Sequence, residues 1–185
     1  MITAELYRCF SVLMRYPDLH MASVARQAAQ AAAFLPQAAQ PLEFFCGVAE
    51  DSGVKVMQEA YTAAFDLQPL AAPYVGYHLF GDDARRGQFL IRLQEIYRQR
   101  GITPDPGELA DHLATVLRFL ATTAGSTEHG ALARDALLPA VRSIHGALAQ
   151  GENPYRHILQ SLEYCIDRSV TTLCTAPPDV EVFHA

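Results

Sequence analysis

The chain has 185 residues, half of them hydrophobic and 18% charged, which fits a packed globular protein and excludes a disordered one. Its formal charge is −6 with a pI near 5.6, and Lys55 is its single lysine among dispersed arginines. That balance excludes a nucleic-acid surface, which needs clustered Lys and Arg.

The first residues, MITAELYRCF, enter an amphipathic pattern at once, without the basic and apolar regions of a signal peptide. No apolar run is long enough to span a membrane, so a cytoplasmic protein without membrane insertion is expected. Thr3 is placed to cap a first helix with Leu6, Cys9, Phe10, Leu13 and Met14 on one face, ended by Pro17. An alanine-rich segment, Ser23 to Leu35, is helix-prone and stops before Pro36. Pro41 opens a third segment with Leu42, Phe44, Phe45 and Val48, and Gly53 separates it from a helix over Val54 to Phe65. That helix turns Val54, Met57, Tyr61, Ala64 and Phe65 to one side.

After the loop DLQPLAAPYVG comes YHLFGDD, then a helix, ARRGQFLIRLQEIYRQR, with Phe89, Leu90, Leu93, Ile96 and Tyr97 in phase. Asp82 or Asp83 supplies its cap, and Gly101 stands where a left-handed C-terminal cap is wanted. The loop ITPDPG leads to an expected helix over ELADHLATVLRFL, with Asp105, Pro106 and Glu108 as cap, first-turn proline and acid. Its stripe is Leu109, Leu113, Val116, Leu117 and Leu120, interrupted by His112 with Asp111 beside it.

Beyond the turn TTAGSTEHG, a helix from about Ala131 to Gln150 carries Leu137, Val141, Ile144 and Leu148, and Pro139 should kink or split it. Asn153 and Pro154 open the last long helix, with Ile158, Leu159, Leu162, Cys165, Ile166 and Val170 in phase. The tail from about residue 175, APPDVEVFHA, is expected to be irregular. No strand-type alternation, repeat or linker appears. The expected architecture is all-α, a single-domain bundle of about seven or eight helices over residues 1–185.

Chemistry is sparsely signposted. Cys9, Cys46, Cys165 and Cys174 form no CxxC pair, the histidines form no HxxxH or HExxH, and free structural thiols without a metal are expected. There is no Walker loop, no dinucleotide fingerprint and no nucleophile elbow, so no catalytic residue and no cofactor is assigned. Glu108 and Asp111 lie in a first turn, where acids answer the helix dipole. Tyr61, Tyr77 and Tyr97 suit a core with a polar tip at its edge. A second reading remains open: a small helical metal-binding protein or enzyme using His78, His112 and Asp111.

Several blocks carry a resemblance. YTAAFDL (Tyr61 to Leu67), YHLFGD (Tyr77 to Asp82), Arg85 and Arg86, Leu90, Leu93, Tyr97 and Gly101 resemble the nitrate reductase delta-subunit family. So does ELADHL (Glu108 to Leu113), followed by Leu117 and Phe119. These are the NarJ-type molybdoenzyme assembly chaperones, within the TorD-like group of redox-enzyme maturation proteins. The match runs from about Glu59 to Ala121, with Ala110 where the family often has proline. The resemblance implies a TorD-like helical bundle and a cytoplasmic chaperone rather than an enzyme, either a monomer or an exchange-prone dimer. Its partner would be the N-terminal peptide of a molybdenum enzyme's catalytic subunit, held until the cofactor is inserted. It implies a peptide-binding set of Asp111, His112, Tyr77, Tyr61, Arg86 and Glu108. An acidic protein suits a peptide bearing Arg or Lys.

Overall fold

The computed structural model describes residues 2–123 and 127–175, with side chains over 2–123 and 129–171. The expected irregular tail and the Cys174 thiol lie outside the described residues. Within them are nine α-helices and no named strand. The first are α1 (Ala4–Leu13), α2 (Met21–Ala31) and α3 (Pro36–Tyr61). The short α4 (Val75–Phe80) and the longer α5 (Ala84–Gln99) follow, then α6 (Leu113–Thr122) and the short α7 (Thr127–Leu132). Last come α8 (Leu138–Leu148) and α9 (Tyr155–Thr175).

Local signals act largely as their chemistry dictates. Thr3 accepts from the Leu6 amide at 3.2 Å, and Asp83 from the Arg85 amide at 2.8 Å, so the later of the two aspartates is the cap of α5. Gly101 follows α5 at φ 65°. Asn153 caps α9 and anchors it: Oδ1 accepts from the Tyr155 amide at 3.0 Å, while Nδ2 donates to the Ala60 carbonyl at 2.8 Å and ties the new helix to the end of α3.

Of three boundaries marked by proline or glycine, the first differs from expectation and the other two follow it. Pro36 opens α3 rather than merely closing the helix before it, because proline's missing amide costs nothing in a first turn. Gly53, at φ 76° and ψ 166°, breaks α3 internally, yet the two halves stay in succession. Pro139 is accommodated by a π-helical turn, Ala133–Leu137, followed by a fresh α8 in whose first turn the proline sits.

Packing neighbours follow one another: α6 lies on α1, α1 on α2, α2 on α3, α3 on α9, α9 on α8, α8 on α4, and α4 on α5. The apolar stripes meet in one continuous core, with Tyr7, Phe10, Phe45, Tyr97, Phe119 and Tyr155 among its largest fully buried side chains. The circuit is closed by backbone rather than by a helix face. Tyr74 and His112 form an isolated antiparallel bridge, with the Val75 amide on the Asp111 carbonyl at 2.9 Å and the Leu113 amide on the Pro73 carbonyl at 2.8 Å.

Candidate functional site

That bridge corrects the expected start of the second central helix. The helix begins at Leu113, not in the ELADH segment, and His112 is its cap: Nδ1 accepts from the Ala114 amide at 3.3 Å. Leu109, expected on the apolar stripe, is 46% exposed. The Asp111 carbonyl and the Leu113 amide, which a helix running through 108–113 would have used internally, are instead spent on Val75 and Pro73.

The six residues singled out by sequence fall into two groups. Asp111 and Arg86 form a tie. Asp111 is 0% exposed, and its Oδ2 accepts from Arg86 Nε at 3.1 Å and from the Gly76 amide at 3.1 Å. The Arg86 side chain is 19% exposed, and its guanidinium also stands 5.7 Å from the ring centres of both Tyr74 and Tyr77. Tyr77 therefore belongs with this tie. The carboxylate also faces the first turn of α4, where free amides favour a negative charge. Gly76 is needed for the approach: a Cβ there would lie 2.8 Å from Asp111 Oδ2 and 2.9 Å from Phe89 Cδ1.

Tyr61, Glu108 and His112 form the second group. They line a cavity of about 310 Å³ with Arg15, Tyr16, Phe65, Asp66, Pro73, Tyr74, Asp105 and Pro106. Tyr74 donates to Glu108 Oε2 at 2.7 Å, and the Tyr74 ring meets the His112 ring edge-on with centres 5.4 Å apart. With Nδ1 of His112 accepting, a neutral ring carries its hydrogen on Nε2, which points to Glu108 Oε2 at 4.0 Å. Burial pushes the His112 pKa below its ordinary value, against an upward pull from Glu108, Asp105 and Asp111. Burial, reinforced by the bond to Glu108, pushes the Tyr74 phenol above its ordinary value, so it stays a donor.

The charges in the cavity are unequal. Asp105 is neutralised by Arg15 at 2.8 Å and Arg118 at 3.1 Å. Among the described residues the Glu108 carboxylate meets the Tyr74 phenol and the His112 imidazole. Asp66 is exposed at the mouth, at the end of a π-helical turn, Thr62–Asp66, that continues α3. The walls are aromatic: Tyr16 and Tyr61 pack edge-on at 5.6 Å, and Tyr61 and Phe65 at 4.9 Å. Tyr16 is 57% exposed, while the Tyr61 hydroxyl reaches the Met14 carbonyl at 3.4 Å. Sequence reasoning does not assign Arg15, Tyr16, Asp66, Tyr74 or Asp105 to the site. Tyr74 and Tyr16 each stand next to a proline at an element end, a usable signal; Asp105 reads only as a helix cap, and Asp66 stands unremarked inside the YTAAFDL block.

The metal-binding alternative finds no ligand set. Among the described residues no three His, Cys, Asp or Glu side chains are grouped to hold an ion. His78 uses Nε2 on the Ala72 carbonyl at 2.7 Å and Nδ1 on the Ser143 hydroxyl at 3.0 Å, joining α4 to α8. Cys9, Cys46 and Cys165 are free and buried. Among the described residues no helix is long and apolar enough to cross a membrane.

Fold and cavity together define an all-helical protein with a cleft of aromatic walls and acidic character. The chain belongs to the nitrate reductase delta subunit family, whose pattern matches residues 22–158. It is 28% identical over 161 residues to the nitrate reductase-like protein NarX of Mycobacterium tuberculosis, covering 85% of this chain and 24% of that protein. It is 31% identical over 104 residues to the probable nitrate reductase molybdenum cofactor assembly chaperone NarJ of Bacillus subtilis, covering 56% of this chain and 55% of that one. The chain thus spans about a quarter and about half of these relatives' lengths. The fold matches the crystal structure of a redox enzyme maturation protein from Archaeoglobus fulgidus described there as putative, with a TM-score of 0.62, 20% identity, and coverage of 90% of this chain and 95% of that one.

Proposed function

We propose that this protein is an assembly chaperone for a molybdenum enzyme of the nitrate reductase kind, and that it holds the N-terminal segment of the catalytic subunit in the aromatic and acidic cleft. Family membership and the name of the Bacillus relative support the chaperone role. The cleft supports the peptide. The observation that carries it is the convergence of Tyr61, Glu108 and His112 with Tyr16, Tyr74 and Asp66 around one cavity. Aromatic walls bind apolar or cationic side chains, and Glu108 and Asp66, which have no Lys or Arg partner among the described residues, favour a basic residue. Asp111, Arg86 and Tyr77 act on this reading by positioning: they fix the 73–76 and 111–113 segments that present Tyr74 and His112. The protein would work in the cytoplasm and carry no cofactor of its own.

Calorimetry against a synthetic N-terminal peptide of the catalytic subunit tests this, with thermal melts in parallel. Tyr16→Ala and Glu108→Gln each lower affinity by about 1–3 kcal/mol while the fold persists. Affinity unchanged in both variants, or lost only in step with unfolding, removes the cleft from the proposal.

A further inference from the structure

A second groove lies away from the cleft, between α5, the end of α4 and the segment running from α7 into the π-helical turn. It has a volume of about 360 Å³, and its walls are Leu79, Phe80, Phe89, Leu93, Ile96 and Leu132, over a floor that includes Phe119. On α5 the lining positions are Phe89, Arg92, Leu93 and Ile96, an i, i+3, i+4, i+7 stripe about 10 Å long at ~1.5 Å per residue. Leu93 is buried, but Phe89 and Ile96 are only partly covered. Helix-walled grooves of this length accept the matching stripe of another helix.

The rim is charged with one sign in excess. Asp135 on the far wall is held by Arg134 through two contacts of 2.8 and 2.9 Å. Arg92 on the near wall has no such carboxylate partner among the described residues, and Arg85, which pairs with Asp83 at 3.2 Å, lies over the Phe80 ring at 5.6 Å. In a chain of net charge −6, α5 and its two capping residues carry Arg85, Arg86, Arg92, Arg98 and Arg100 against the acids Asp83 and Glu95, with Arg85 paired to Asp83 and Arg86 to Asp111. Local charge here opposes the charge of the whole.

We infer that this groove is a docking surface for an acidic amphipathic helix of a protein partner, whose apolar stripe covers Phe89, Leu93 and Ile96 and whose carboxylates meet Arg92 and Arg85. The site is separate from the cleft and complementary to it in sign, so two segments of unlike chemistry can be held at once.

The probe is a labelled peptide of about 15 residues, long enough to hold a helix, with leucine at i, i+4 and i+7 and glutamate at the outer positions. Its companion has lysine for glutamate. Fluorescence anisotropy on the full chain should show the glutamate peptide binding at least about tenfold more tightly at low salt. Arg92→Glu should cut that preference by about tenfold or more, and Ala131→Glu, an exposed position on the far wall, should weaken the glutamate peptide. Glu108→Gln, in the cleft, should change nothing here. Equal binding of the two peptides, or an Arg92→Glu variant that melts like the parent and binds the glutamate peptide as well, overturns the inference. So does loss of binding in Glu108→Gln, which would put the probe in the cleft.

Discussion

Removing the Asp111 carboxylate is the most direct test of how the bridge region is held. Asp111→Ala leaves Arg86 without its charge partner in a setting where only 19% of the side chain meets solvent, and it orphans the Gly76 amide. Breaking a fully buried pair from one side costs about 3–5 kcal/mol. The part-exposed guanidinium can recover some hydration, and its two tyrosine rings remain, so we expect about 2–4 kcal/mol. Asp111→Asn keeps an acceptor for Gly76 and should cost less, about 1–3 kcal/mol. Urea unfolding of both variants, of Arg86→Met and of the double variant Asp111→Ala/Arg86→Met completes a cycle. A coupling energy above about 1 kcal/mol is expected, since the two groups touch. An Asp111→Ala variant that loses less than ~1 kcal/mol, or a cycle with no coupling, would refute the view that this ion pair holds the backbone bridge that closes the helical circuit.

Three further outcomes are checkable. Gly76→Ala should destabilise by about 1–3 kcal/mol, because the new methyl collides with Asp111 and Phe89, although alanine at an open helical site would gain ~1 kcal/mol; chemical denaturation giving a more stable variant would contradict the contact. The buried Tyr7 hydroxyl has no hydrogen-bond partner among the described residues, whereas Tyr97 donates to the Ala110 carbonyl at 3.1 Å. Melting curves should therefore show Tyr7→Phe neutral or stabilising and Tyr97→Phe losing about 0.5–1.5 kcal/mol, and the reverse order would be inconsistent with the packing. Burial lowers the pKa of His78, His112, His129 and His157, so the unfolded chain binds protons that the folded chain refuses. Stability from these groups is complete above about pH 6.5, falls as pH drops through that value, and levels off below the folded pKa values. A melting temperature flat from pH 8 to about 5 would speak against the buried neutral imidazoles.

The helical character of this chain is written locally. Periodic stripes, the caps at Thr3, Asp83 and Asn153 and the left-handed Gly101 each act within a few residues, so the sequence alone places most helices and their buried faces. The resemblance marked the stretch from Tyr61 to Leu113 because its side chains are distinctive, and three of the six site residues it implied, Tyr61, Glu108 and His112, do meet in the cleft. What local pattern could not decide is the competition for backbone partners. Glu108 to His112 has a good helical sequence, but the Pro73 carbonyl and the Val75 amide offer the bridge, and the helix starts only at Leu113. The same holds for charge. Asp111 and Glu108 sit three residues apart on paper, and only long-range folding puts one under Arg86 in the dark and leaves the other facing an open cavity. A carboxylate's role follows from its dielectric surroundings and its cationic neighbours, and those come from segments far apart in the chain.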